Sequence, residues 1–373
     1  MTAYDIAIIG AGIAGASFAA ALPVGRKVVM LEMEAVAGYH ATSRSAANFE
    51  PTFGPQAIRA LTRASEEFLR NPPDGFAEVP LLSPRGVLMY GDASQTAEFA
   101  EAIACGYVEI SEADAFRRVP LLRQRDGGRY LFDASTTDID VDLLHRGFLQ
   151  LAKRAGVELI LKAPVTAGRH DGRTWHLATP QGEVIASTVV IAAGAWADEV
   201  ARVLGIPPIG FVPKRRSMAV VPAPAVEGFA SWPQLIPAND TFYAKPMGGR
   251  LMISPSDATP SEPHDAFADD LKIAEAIAAY GEGVDYEITQ VERTWGGLRT
   301  FAPDGQFVIG HDPLADGIFW LAGQGGYGVQ TAPAAGRLAA TLFDRLPAPA
   351  DILIHGVNPA DFDPARFNRS KPQ

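Results

Sequence analysis

The chain has 373 residues, a formal net charge of −11 at pH 7, 47% hydrophobic and 20% charged residues; this length holds a large core and two or three domains. The acidic balance argues against a basic footprint for nucleic acid or anionic lipid. A single cysteine, Cys105, excludes an intramolecular disulfide and a thiolate-rich metal site, and the seven histidines contain no His-x-x-x-His pair.

The first element is an apolar run, Ile6 to Ile9, ending on Gly10-Ala11-Gly12-Ile13-Ala14-Gly15 and opening into the small-residue stretch Ala16 to Ala21. A strand, a tight turn and a helix starting near Gly12 bring backbone N–H groups and the positive end of a helix dipole to a pyrophosphate. Gly10 makes the turn, Gly12 lets the backbone approach the phosphates, and Gly15 lets the helix pack on its strand. A second strand, Lys27 to Leu31, ends on Glu32, placed to accept the hydroxyls of an adenosine ribose. Its charge repels a 2′-phosphate, which disfavours NADP and leaves NAD and FAD both open.

The fold starts at about Tyr4, which leaves no room for a signal peptide, and no apolar run approaches the ~18 residues that span a bilayer. A cytoplasmic protein is the expectation. Gly38 to Ala47, with Thr42, Arg44, Ser45 and Ala47, forms a loop of small and hydroxyl side chains suited to wrapping a cofactor. Asn48 to Pro55 is a shaped loop over a pocket, and a helix runs from about Gln56 to Leu69.

A strand at Gly86 to Tyr90, a helix near Gln95 to Ala104 and a helix capped by Ser111 read as a first insertion. Asp138-Ile139-Asp140-Val141-Asp142 lacks the glycine and glutamate of a calcium loop and reads as a helix cap. Val141, Leu144, Phe148, Leu151 and Ala155 give a helix with one buried face, leading to a strand at Val157 to Leu161. Thr188 to Ala193 is a buried parallel strand closed by Gly194. Arg216 to Val221, Thr241 to Lys245 and Leu251 to Ser254 look like an antiparallel meander within a second insertion. A strand near Glu287 to Thr294 runs into Trp295-Gly296-Gly297-Leu298-Arg299. A last strand, Ile318 to Leu321, leads through Gly323-Gln324-Gly325-Gly326-Tyr327-Gly328 into the helix Val329 to Phe343, a second glycine-rich junction whose helix N-terminus stabilises negative charge.

A cofactor site split between the two ends of the chain resembles the FAD-dependent amino-acid oxidoreductases of the D-amino acid oxidase, glycine oxidase and sarcosine oxidase group, most nearly the bacterial D-arginine dehydrogenases. The motifs are Gly10 to Gly15 with Glu32, Gly38-Tyr39-His40 with Arg44 to Ala47, Asn71-Pro72-Pro73 with Leu82 to Arg85, Lys214 to Ser217, Trp295 to Arg299 and Gln324 to Gln330. The resemblance implies an α/β FAD-binding Rossmann-like domain of D-amino acid oxidase type, residues 1–84, 140–206 and 290–373. It implies an α+β substrate domain on a mostly antiparallel sheet, residues 85–139 and 207–289.

It also implies non-covalent FAD, with Gly10, Gly12, Ile13, Ala14, Gly15 and Glu32 on the ADP half, Thr42, Arg44, Ser45 and Ala47 along the cofactor, and Val165 at the adenine end. Gly194, Gly323, Gly325, Gly326, Tyr327 and Gly328 complete the cofactor set. Arg299 and Arg216 are set on a substrate α-carboxylate with Tyr243 beside them, and Gly326 lies at the reacting end. Asn48, Glu50, Phe53 and Val87 are the pocket residues that depart from the D-arginine pattern, which has histidine, tyrosine and an acid in place of Asn48, Phe53 and Val87 and lacks the charge of Glu50.

The expected activity is oxidative deamination of a D-amino acid, with a hydride passing from Cα to flavin N5 and electrons leaving to O2 or a quinone-type acceptor. Val87 implies an apolar side chain in preference to a cationic one. Alternatives on the same fold are D-arginine-type broad specificity, oxidation of glycine, N-methyl or cyclic amino acids, and a 2-hydroxy acid dehydrogenase. From other classes come an NAD-dependent dehydrogenase and a flavin-carrying protein without turnover.

Overall fold

A computed structural model describes residues 3–367 and 369. Ala3–Ile9 pairs in parallel with Val28–Leu31 on one side and with Gly182–Ile191 on the other. Ile318–Ala322 lies parallel to Gly182–Ile191, and Glu158–Ile160 extends the opposite edge. Ala167–His170, Trp175–Thr179 and Val308–His311 add antiparallel strands to the same eight-stranded sheet.

Both faces of this sheet are covered, which is why its strands read as unbroken apolar runs. Ile6 and Ile8 pack against helices Ile13–Ala21 and Gly328–Phe343, whereas Ala7, Ile9, Val29 and Leu31 pack against Trp175, Ala197 and Trp320. Helix Val141–Arg154 closes the first face, its N-terminus capped by the Asp140 carboxylate on the Leu143 N–H at 2.9 Å.

A second sheet of nine strands is built from both insertions, in the order 259–260, 212–221, 250–254, 243–247, 234–237, 87–91, 129–133, 108–110, with Arg293–Phe301 paired to Val212–Val221. This last pairing differs from the sequence expectation. The strand expected near 287–294 runs over Arg293–Phe301 instead, so residues 293–301 share the second sheet and the chain rejoins the first sheet only afterwards. The two glycines of Trp295-Gly296-Gly297 let neighbouring segments press on the strand: a Cβ on Gly296 would strike the Phe267 carbonyl.

The period of two sorts the second sheet into two faces. Leu88, Tyr90, Ala219, Val221, Ala244 and Ile253 form an apolar core with helix Asp270–Gly283. Met218, Tyr243 and Met252 lie on the other face, and the strand register adds Arg216, Arg299, Lys245, Gln234 and Val87 to it. The chain leaves the first sheet for the second at Ile209 to Phe211, and this crossing is fixed by one buried carboxylate. Asp198 accepts the N–H groups of Ile209 (2.9 Å), Gly210 (2.9 Å) and Phe211 (2.7 Å). Asp198→Ala leaves these donors without their charged acceptor and should lower unfolding stability by about 3 kcal/mol; urea unfolding followed by fluorescence reads this, and a change below about 1 kcal/mol would show the crossing is held otherwise.

Candidate active site

The first glycine loop is shaped by contacts that admit no side chain. Gly10 has φ +106°, and a Cβ there would run into the Ala192 carbonyl; a Cβ on Gly15 would run into the Gly10 carbonyl. The Ile13 N–H is taken by the Thr42 hydroxyl at 3.0 Å, while those of Gly12 and Ala14 have no acceptor among the described residues. Glu32 is buried, and its two oxygens accept the N–H groups of Ala11 (2.9 Å) and Glu34 (3.0 Å), leaving further lone pairs for hydroxyl donors. His145, unforeseen from the sequence, supports the loop from below: its Nε2–H donates to the Ala11 carbonyl at 2.8 Å, and burial lowers its pKa and keeps it neutral.

A cavity of about 370 Å³ runs from this loop across the tip of the first sheet to the second, within the range of small-molecule and cofactor sites. Gly10, Gly12, Ile13, Ala14 and Glu32 line one end with Val165 and Gly194; Thr42, Arg44 and Ser45 line its flank; Gly323, Gly325, Gly326 and Gly328 line the other end, where Arg216 and Arg299 enter. The glycine cradle, the free N–H groups and the buried acid suit an ADP-containing flavin. Gly15 lies behind the cavity wall rather than on it. Ala47, at φ +61°, turns the chain towards the second sheet, donates to Ser45 Oγ at 3.1 Å and accepts from Ile139 N–H at 2.8 Å.

Arg44 is placed on the cavity, but its guanidinium is engaged by protein. Nη1 donates to the carbonyls of Ala266 (2.9 Å) and Gly296 (3.0 Å), and Nη2 to Asp265 Oδ1 (2.5 Å). Trp196 and His264 also line the cavity and were not foreseen. Nothing in their sequence context separates them from ordinary loop residues.

At the far end Arg299 is half-buried and has no hydrogen-bond or ion-pair partner among the described residues. Its guanidinium lies against Gly326, where a Cβ would stand 3.2 Å from Cζ. Burial disfavours its charged form; the phenol of Tyr243 supports that charge, Arg216 opposes it, and Tyr327 and Glu50 support it. Since a guanidinium does not give up its proton, the site gains from an anion placed there. Arg216 donates through Nε to the Asp257 carbonyl at 2.7 Å and lies 5.7 Å from the centre of the Tyr243 ring. Among the described residues the buried Tyr243 hydroxyl meets only the Met218 sulfur, at 3.6 Å. Tyr327 packs at 5.5 Å against Phe53, which is otherwise exposed, and Gly54 leaves room for the Tyr327 ring.

A chain of buried and half-buried polar groups faces this end. Lys245 Nζ donates to Asp138 Oδ1 at 2.6 Å, to the Ala47 carbonyl at 3.3 Å and to Asn48 Oδ1; Asp138 is also held by Arg85 at 2.7 Å. The Asn48 amide donates to Glu50 Oε1 (3.0 Å) and Gln234 Oε1 (2.5 Å), and Gln234 Nε2 donates to Glu50 Oε1 at 3.1 Å. Burial raises the pKa of Glu50, against which Asn48, Lys245 and Gln234 act. Val87 stands in register between Gln234 and Asp133 and has no exposed surface. Lys245 was missed, although a lysine two residues after Tyr243 on a strand falls on the same face and signals a buried charge.

Residues 5–342 match the DAO family model, described as FAD dependent oxidoreductase. N-methyl-L-tryptophan oxidase of Escherichia coli (strain K12) is 25% identical over 372 residues, covering 90% of this chain and 94% of that protein. Glycine oxidase from Geobacillus kaustophilus has the same fold, with TM-score 0.81, 23% identity and full coverage of both chains. Iminodiacetate oxidase from Chelativorans sp. BNC1 gives TM-score 0.75 at 22% identity, covering 92% of this chain and 96% of that one. These likenesses reach the broad family and its cofactor, and do not single out D-arginine dehydrogenase. The chain belongs to the DAO family of FAD dependent oxidoreductases.

Proposed function

We propose that this flavoenzyme oxidises the Cα–N bond of a D-amino acid whose carboxylate is held by Arg299, with Arg216 and Tyr243 beside it. The carrying observation is Arg299 itself, a half-buried cation at the glycine-lined end of the cavity with no partner among the described residues. Bound FAD supplies the hydride acceptor for the Cα–H, and water converts the imino acid product to a 2-oxo acid and ammonia. A guanidinium fork holds a carboxylate in two parallel hydrogen bonds and so fixes Cα. The Tyr243 hydroxyl, with only a weak sulfur acceptor, is available to donate to the same carboxylate. Gly326 keeps the space beneath the guanidinium open, and Met218, Met252 and Trp295 keep water away from the sheet face. The likeness to glycine oxidase and N-methyl-L-tryptophan oxidase supports an α-amino nitrogen as the reacting group.

Anaerobic titration of the yellow protein with D-leucine, L-leucine, glycine and sarcosine tests the reading. Bleaching by the D-amino acid is expected, and bleaching by glycine or sarcosine alone would overturn the D-assignment. Arg299→Ala should keep its flavin and lose kcat/KM by roughly 30- to several-thousand-fold, since one member of a desolvated charge pair is worth about 2–5 kcal/mol; a loss under about threefold would place the carboxylate elsewhere.

The FAD is held without a covalent bond. Cys105 does not line the cavity and its sulfur accepts from Arg59 Nη1 at 3.1 Å. Acid precipitation should leave the flavin colour in the supernatant, and colour retained in the pellet would contradict non-covalent binding.

A second reading concerns the substrate side chain. The apolar preference rests on Val87, which is buried between its strand neighbours Gln234 and Asp133, whereas Glu50 Oε2 has no partner among the described residues and its carboxylate acts electrostatically on Arg299 and Tyr327. An unpaired carboxylate oxygen that acts on the same guanidinium favours a donor or cationic side chain. Glu50→Gln should lower kcat/KM for D-arginine about tenfold relative to D-leucine; an unchanged ratio would restore the apolar preference.

A further inference from the structure

The loop that wraps the cofactor is tied across the cavity to a segment of the second domain. Residues 261–269 lead from the short strand Thr259–Pro260 to helix Asp270–Gly283. Both ends are anchored to the second sheet: the Ser261 N–H donates to the Pro213 carbonyl at 3.0 Å, and Asp269 is held by the Ser217 hydroxyl at 3.0 Å and by Arg215. The middle reaches over the cavity, where His264 and Ala266 face Tyr39, His40 and Arg44 of the first domain.

Among the described residues, the hydrogen bonds of this middle part to the first domain come from two side chains. Arg44 donates to Asp265 Oδ1 at 2.5 Å and to the Ala266 carbonyl at 2.9 Å, and the Tyr39 hydroxyl donates to Asp265 Oδ2 at 3.1 Å. The Arg44 guanidinium also stacks on the Tyr39 ring at 5.0 Å, and Ala266 packs with Ala195 and Trp196 on the same wall. One exposed carboxylate thus joins two residues of the cofactor loop to the segment lying across from them.

We propose that Asp265, with Arg44 and Tyr39, is a latch that retains FAD, holding the 261–269 segment closed over the bound dinucleotide and slowing its release. The latch acts on cofactor residence and is independent of which substrate is oxidised. Among the described residues Asp265 makes no hydrogen bond or ion pair with Arg299, Tyr243 or Glu50, and substrate binding is not part of its role.

The Asp265 carboxyl is held below the usual carboxylate range, chiefly by its hydrogen bond from Arg44, with Tyr39 and the nearby His40 acting in the same direction. The latch is therefore intact at neutral pH and weakens as pH falls through that lowered pKa. The pair is partly exposed, so salt screens it.

The test is the rate of FAD release from the holoprotein, followed by the rise in flavin fluorescence after large dilution with a phosphodiesterase present, which splits released FAD to the brighter FMN and so prevents rebinding. Asp265→Asn should speed release about two- to fivefold, the range of a partly exposed ion pair with one added hydrogen bond. Tyr39→Phe, which removes only the hydroxyl, should give a smaller increase. Wild-type release should quicken in 0.5 M NaCl, and that salt effect should vanish in Asp265→Asn. Glu262→Gln, which removes a neighbouring charge outside the latch, should leave the rate unchanged. Substrate KM of the FAD-saturated Asp265→Asn protein should match wild type. Equal release rates for wild type and Asp265→Asn, or an equal increase in Glu262→Gln, would overturn the latch whatever the substrate proves to be.

Discussion

The structure depends on one close approach, that of helix Ile13–Ala21 to the strand before it. With no side chain at Gly15, the helix comes down on the Gly10 carbonyl, and with none at Gly10 the turn fits against Ala192 at the end of the neighbouring strand. Any Cβ at either place forces backbone against backbone, which a packed interior has no room to absorb. This contact sets the height of the helix N-terminus, and with it the direction of the Gly12 and Ala14 N–H groups. Thr42, Glu32 and His145 then take the neighbouring backbone groups, so the N–H groups of Gly12 and Ala14 are the donors left over.

The second sheet contributes through alternation. One face buries aromatic and aliphatic side chains against helix Asp270–Gly283, so the opposite face of the same strands must meet the first domain. That face carries Arg216, Tyr243, Lys245 and Arg299, side chains that a simple core would exclude. Lys245 is stabilised by Asp138 and Asn48; Arg299 has no such partner among the described residues. The contrast separates a cation that holds the fold from one whose charge the described residues leave unpaired, as the proposed carboxylate clamp requires. Removing a partner from a buried pair is far more damaging than never having built it, so Lys245 also pins the Asn48 to Glu50 loop.

Much of the cofactor half was legible in the sequence, because a strand, three glycines and an acid at fixed spacing are local constraints. Gly10, Gly12, Glu32, Thr42 and the glycines after Ala322 all line one cavity. The helix periodicity of Val141–Arg154 and the Asp140 cap were equally local. Arg44 was readable as a loop cation but not as a strap, since its partners lie 221 to 252 positions away. Val87 was readable as apolar, but whether it meets a ligand depends on Gln234 and Asp133 beside it in the sheet.

By itself the sequence determined the two glycine-rich junctions, the acid after the second strand and the alternation of the later strands, because each is set by neighbours within about twenty residues. Only the tertiary structure decided that Arg293–Phe301 joins the second sheet, that Lys245 and Glu50 belong to one buried chain, and that Asp265 closes on Arg44. Those are pairings between distant segments, and their partners are chosen by register, burial and the satisfaction of charge, none of which is written in the spacing of residues along the chain.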